Sequence, residues 1–357
     1  MKTEYILGVV LLVLIGAGSL VIFQSTPKDS LPTAAGESPV GKVAVPYVEI
    51  ANPAGFVNTG GKPIKISDYV GKQVILLDIM TYSCINCQRT FPYLNTWYEE
   101  YKDEGLIIIG IHTPEFAFEK DKASVQKAME EFGIKFPVVL DNDYGTWNAL
   151  NERFWPHKYL IDIHGNIVYD HAGEGAYEVT EKKIQELLKE RTEVLGSAES
   201  IGDTLAGSNL EEVVTGGASP ETYFGSARNE LLTNGAPGSY GEQSYVIPSA
   251  IKPNALYLGG MWNISPEYAK ANTNSAVRYR YTAKEGYVVA ESETGGFIEV
   301  WQDGKLVNEV AGADVSAGRV SVKSSRLYKL IKNSEVGEHT LELKVSPEVK
   351  LFAFTFG

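Results

Sequence analysis

Cysteine is almost missing from this chain: two of 357 residues, Cys84 and Cys87. The scarcity excludes a scaffold of structural disulfides and a cysteine-rich zinc module, which needs four ligands and shows as a second C-x-x-C or an H-x-x-x-H. His112 and Glu115 lie on other stretches of chain without metal-site spacing, so no metal is expected. A basic cluster is also lacking, and the net charge of −13 speaks against nucleic acid or anionic lipid as partners. No A-x-A-like cleavage site follows the apolar run Tyr5 to Phe23, which is long enough to cross a bilayer. That run predicts an N-terminal transmembrane helix, and the small residues Gly16 to Ser19 leave a cleaved, secreted form as the alternative. In either case the cysteines are exported.

What the chain does have is Cys84-Ile85-Asn86-Cys87, with Asp78 closing the apolar run from Val74 and Pro92 inside a helical pattern. A lone C-x-x-C predicts a redox dithiol. A buried strand (VILLDIM) ends at a loop, and Cys84 opens a helix running through Leu94, Trp97 and Tyr101. Unpaired N–H groups and the helix dipole favour a thiolate there. Cys84 is therefore expected to attack and Cys87, one turn later, to resolve the mixed disulfide. Asp78, on an apolar strand, is expected to be buried and to take the proton from Cys87. A structural disulfide closing so short a loop would stabilise little.

Composition divides the chain into residues 1–24 (anchor or signal segment), 25–41 (a Ser/Thr/Pro/Gly/Ala linker), 42–195 (redox domain), 196–220 (a second linker) and 221–357. In the redox domain LIIIGIH and PVVLD read as strands, ASVQKAMEEFG and YGTWNALN as helices, and KYLID and NIVYDH as a hairpin. Glu178 to Leu195 closes the domain as a helix. The order predicts a mixed sheet with helices on both faces. Beyond residue 221, short alternating runs and the hairpin signal Gln302-Asp303-Gly304-Lys305 predict an antiparallel β-sandwich. Tyr223, Trp262 and Trp301 are either core or a sugar-stacking platform.

The string TYSCINCQRTFPYLNTWYEEYKDEGLIIIGIHTPEFAFEK, followed by FPVVLDNDYGTWNAL, WPHKYLID and GEGAYEVTE, resembles thioredoxin-fold domains of the TlpA type. Together with PETYFGSARNE, the GGMW segment and the terminal AFTFG, it is similar to the extracytoplasmic part of DipZ-type cytochrome c biogenesis proteins, whose C-terminal module is a carbohydrate-binding-like jelly roll. The resemblance implies that Pro156 is a cis-proline facing the dithiol and that Glu174 lies near it, a groove candidate placed to tune the cysteines. Met80 and Ser83 stand where thioredoxins usually carry aromatic residues, so Tyr82 and Trp155 are expected to form the lip of a client groove. Thr90 replaces the acid of the TlpA-type helix. His112, following a strand, is a further groove candidate.

The implied activity is thiol:disulfide exchange, with the Cys84–Cys87 disulfide as the only redox group and no cofactor. The implied setting is membrane-anchored and extracytoplasmic, in the periplasm or at the cell surface. Electrons would come from a CcdA- or DsbD-type membrane carrier, and the clients would be proteins with disulfides, apocytochrome c among them. Two alternatives stay open. One is a thioredoxin-fold peroxidase, from the T-x-x-C spacing Thr81 to Cys84. The other is a cell-surface glycan-binding protein with an accessory redox domain.

Overall fold

Two seven-residue apolar runs set the centre of the first sheet. In this computed structural model, which describes residues 45–197, 201–210 and 219–357, both runs are strands buried on both faces. The redox domain runs β1 (Val45–Pro46), β2 (Gly55–Val57), β3 (Val74–Met80), α1 (Ile85–Tyr101), β4 (Leu106–His112), α2 (Lys122–Glu131), β5 (Val138–Leu140), α3 (Gly145–Ala149), β6 (His157–Ile161), β7 (Asn166–Ala172) and α4 (Tyr177–Leu195). Its seven strands are ordered β1-β7-β6-β3-β4-β5-β2, with β3, β4 and β5 parallel and the remaining pairs antiparallel.

Strand alternation divides the core. Leu76, Met80 and Ile108 pack with Phe91 and Leu94 of α1, Met129 of α2 and Ile184 of α4. Ile75, Leu77, Ile79 and Ile109 pack on the other face with Ile66, Trp147 and Leu150. Asp78 has the parity of Leu76 and Met80, so it points to the face that carries α1 and Cys87. The short strands β1 and β2 carry no period long enough to be read from sequence.

The C-terminal domain contains β8 (Thr222–Tyr223), β9 (Gly241–Tyr245), β10 (Leu256–Ile264), β11 (Ala269–Ala271), β12 (Ser275–Glu291), β13 (Gly296–Gln302), β14 (Lys305–Leu306), β15 (Arg319–Val322), β16 (Arg326–Val345) and β17 (Lys350–Phe356). All its named strand pairs are antiparallel, as expected. The layers of the expected sandwich are continuous with each other, one hydrogen-bonded sheet of ten strands folded around a single core. Bulges at Ala283/Glu285 and Gly286/Tyr287 let β12 pair with β10 in its first half and β17 in its second, while β16 follows it throughout.

The apolar run Tyr5 to Phe23, with its expected transmembrane helix, lies outside the described residues. Among the described residues no helix is long and apolar enough to cross a membrane. The described middle of the second linker is docked: Glu181 accepts from the backbone N–H of Ala206 (2.5 Å) and Gly207 (3.0 Å), and Gln185 donates to the Thr204 carbonyl (2.9 Å).

The two domains fall in one compact unit and share an apolar seam. Ile85 and Phe116 of the redox domain are buried with Tyr287, Val289, Leu327 and Phe352 of the sandwich. The Phe352 ring lies 5.1 Å from that of Phe116 and 4.9 Å from that of Phe118. Polar contacts flank the seam: Glu115 accepts from Arg228 and from the Tyr223 hydroxyl, both at 2.8 Å.

Candidate active site

The apolar run that makes β3 stops at Met80, and the chain turns through Thr81, Tyr82 and Ser83 into α1. Cys84 is the extended N-cap residue of that helix, which continues through Pro92. Cys84 is half-buried and Cys87 is fully buried. The Trp155–Pro156 peptide is cis, and the Cys84 Sγ approaches the Trp155 carbonyl oxygen at 3.8 Å. Cys84, Cys87, Trp155 and Pro156 thus come together. Burial pushes the Cys87 thiol well up, and its hydrogen bond with Cys84 adds to the effect. A thiol held that way stays protonated until a base removes its proton.

Asp78 is the acid at hand. It is fully buried, neither carboxylate oxygen has a hydrogen-bond partner among the described residues, and desolvation raises its pKa to about 7 against the pull of Lys158 and His157. Lys158 was not among the sequence candidates. The antiparallel register sets it opposite Asp78 on β6, where it is fully buried and donates to the Gly173 carbonyl at 3.1 Å. Burial lowers its pKa, and Asp78 opposes the shift. The signal was a charged residue in each of two apolar strands, and only their register reveals that they meet.

A second buried carboxylate, also unanticipated, holds the loop before Cys84. Glu119, in a 3-10 turn at Ala117–Lys120, accepts from the Thr81 and Ser83 hydroxyls (both 2.5 Å), the Ser83 N–H (3.3 Å) and the N–H groups of Glu115 (2.6 Å) and Phe116 (2.9 Å). Desolvation raises its pKa to about 7 despite the Ser83 and Thr81 hydroxyls.

Two groove candidates sit differently from expectation, and a third is held in an ion pair. Tyr82 is not an open lip: it is 4% exposed, stacks on His112 at 5.7 Å and donates to the Ser325 carbonyl of the sandwich at 3.3 Å. His112 does not face a client. It is fully buried beneath the loop, 3.4 Å from the Thr81 hydroxyl, and desolvation takes its pKa down to about 4, so the ring is neutral at neutral pH. Glu174 follows Gly173, whose N–H donates to the Pro156 carbonyl at 2.7 Å, and its carboxylate pairs with Arg89 (3.2 Å), which also meets Glu285 (3.4 Å) and the Tyr287 hydroxyl (3.2 Å). Trp155 is half-buried, with its indole N–H donating to the Thr113 carbonyl at 3.0 Å. Of the three aromatic candidates for a sugar platform, Trp262 is in the sandwich core and Tyr223 is at the seam, while Trp301 is half-buried on β13. Among the described residues no group of three or more His, Cys, Asp or Glu converges to hold a metal ion.

Comparison with known proteins agrees with this geometry. Residues 43–170 match the AhpC/TSA family and residues 219–357 the thioredoxin-like C-terminal domain. Protein DipZ of Mycobacterium tuberculosis is 35% identical over 308 residues, 85% of this chain. The chain spans only 41% of DipZ. The thiol-disulfide oxidoreductase ResA of Geobacillus kaustophilus is 30% identical over 178 residues, 50% of this chain and 92% of that protein. A solved thiol:disulfide interchange protein of the thioredoxin family from Chlorobium tepidum aligns with 41% of this chain and 98% of its own, at 18% identity and a TM-score of 0.35, too distant to add to the assignment. With a half-buried Cys84 facing the Trp155 carbonyl, a buried Cys87 and a ResA relative covered almost end to end, the chain belongs to the thioredoxin-like family of thiol-disulfide oxidoreductases.

Proposed function

We propose that this chain is a membrane-tethered, extracytoplasmic thiol:disulfide oxidoreductase working as a reductase. The observation that carries the chemistry is the sequence of half-buried Cys84, buried Cys87 and buried Asp78, whose carboxylate has no hydrogen-bond partner among the described residues, behind the Trp155 carbonyl. The Cys84 thiolate attacks one sulfur of a client disulfide, forming a mixed disulfide and releasing the other client sulfur as a thiolate. Asp78 then takes the Cys87 proton. The Cys87 thiolate attacks the Cys84 Sγ, the second client sulfur leaves, and two electrons have passed to the client, leaving the Cys84–Cys87 disulfide. A CcdA-type membrane carrier, as the resemblance implies, returns two electrons. The apolar run Tyr5 to Phe23 supports the tether and the export.

The peroxidase alternative loses its support at Thr81, whose hydroxyl is given to Glu119. The test is transfer from pre-reduced protein to insulin disulfides. The parent should reduce one disulfide per molecule, Cys84→Ser none, and Cys87→Ser should stop at a mixed disulfide. A parent that transfers nothing sinks the proposal. Equilibration with glutathione then fixes direction, a strongly negative potential marking a reductase and a high one an oxidase.

A further inference from the structure

With one side of the dithiol loop covered by the sandwich, a groove of about 280 Å³ opens beside the covered part. Its redox-domain wall is Ile85, Gln88 and Arg89, and its sandwich wall includes Lys329, Ile331 and Lys332. Ile85 directly follows Cys84 at the start of α1, their Cα atoms about 3.8 Å apart, so the groove opens one residue along the chain from the nucleophile. The volume suits a side chain or two of a polypeptide and is small for a cofactor.

The charge in the groove is one-sided. Arg89 is neutralised by Glu174 and Glu285, and Glu285, opposite Lys332 across the strands, is also bound to the Tyr287 hydroxyl. Asp314, whose carboxylate feels Lys329, is already paired with Arg326 at 2.6 Å. Lys329 and Lys332 are exposed and belong to no ion pair among the described residues. On a chain of net charge −13, Lys329 and Lys332 outweigh the one carboxylate that Arg89 leaves over, so the groove keeps an excess positive charge above Ile85 and Ile331.

We propose that this groove receives the client polypeptide beside its disulfide and selects clients with acidic side chains next to the reacting cysteine. The assignment rests on reading Cys84 and Cys87 as the exchanging pair. An acidic side chain meets Lys329 and Lys332 at the mouth of the groove, above the buried Ile85 and Ile331. Elsewhere the acidic surface repels such a client, so the groove also orients its approach.

The test uses two disulfide-linked reporter peptides that differ only in carrying Glu or Lys on each side of the cysteine. Rates with the full chain are divided by rates with dithiothreitol, which removes the intrinsic reactivity of each disulfide. The acidic peptide should be favoured in kcat/KM by roughly three- to tenfold, the range two exposed charge pairs supply, and 0.5 M salt should erase the preference. A Lys329→Glu/Lys332→Glu variant, altered only at exposed positions, should reverse it. Equal normalised rates, or a preference that the variant keeps, overturn the groove and leave the dithiol chemistry standing. Fluorescence anisotropy of dye-labelled versions with serine for cysteine separates the two claims. Tighter binding of the acidic version without turnover of either reporter keeps the groove and removes the redox reading, and equal binding overturns the groove.

Discussion

Tyr82 donates its hydroxyl to the Ser325 carbonyl oxygen at 3.3 Å, joining the loop that delivers Cys84 to the far domain across 243 positions of sequence. The sandwich is therefore a wall of the redox site. Beside this bond, Ile85 is buried in the seam with Leu327 and Phe352.

Phe352→Ala tests that wall. The ring is 2% exposed and packs on Phe116, Phe118 and Tyr268, so truncation should cost about 3–5 kcal/mol and loosen the seam. Hydrogen exchange at the amides of Tyr82 to Asn86 should speed up. Unchanged exchange there would mean that the loop holds itself.

Iodoacetamide should modify Cys84 first. Cys87 is fully buried and its thiol is pushed up, which denies the reagent both access and a thiolate. Peptide mapping after brief labelling at pH 7 should find Cys84 at least about tenfold ahead, and labelling mainly at Cys87 would reverse the assigned roles.

Asp78→Asn should slow resolution and stabilise the fold. Burial pushes the folded carboxyl up to about 7 from an ordinary value of 3.8. Between those values the folded state holds a proton that the unfolded chain has released, so this group's contribution to stability falls as pH rises from about 4 to 7 and stays low above. Urea unfolding should show no gain for the variant near pH 4 and a gain on the order of 1–3 kcal/mol at pH 8, reduced because Lys158 loses its counter-charge. Stopped-flow reduction of a model disulfide should show an unchanged first step and accumulating mixed disulfide. Equal resolving rates from pH 6 to 9 would exclude Asp78 as the proton acceptor.

Glu119→Gln should do the opposite, although both acids titrate near 7. Glu119 accepts five hydrogen bonds, and a glutamine turns an NH₂ group toward donors that need an acceptor. The loss should be about 2 kcal/mol or more at pH 7, with altered Cys84 alkylation because the loop is no longer held. A variant as stable as the parent would show that desolvation outweighs those bonds.

Sequence alone was enough where the signal is local. The runs VILLDIM and LIIIGIH, the C-x-x-C at a helix start and the turn Asp303-Gly304, where both residues have positive φ, are each read from neighbouring residues. What escaped depends on contacts between distant segments. Lys158 matters through the register of β6 on β3, Glu119 through a turn folding back under Ser83, and Tyr82 through a domain that begins well over a hundred residues later. His112 follows an apolar strand, and the covering loop decides that it is buried.

The seam also bears on how the molecule can be taken apart in the laboratory. The change in composition near residues 196–220 invites expression of each half alone, but that joint is only where the polypeptide passes from one half to the other. Cutting there would put Ile85 and Phe116 of one fragment, and Leu327 and Phe352 of the other, into water, at about 1.5–3 kcal/mol for each large side chain fully uncovered. An isolated redox fragment would carry a sticky face beside its nucleophile, so self-association and indiscriminate thiol reactivity measured on it would belong to the cut surface.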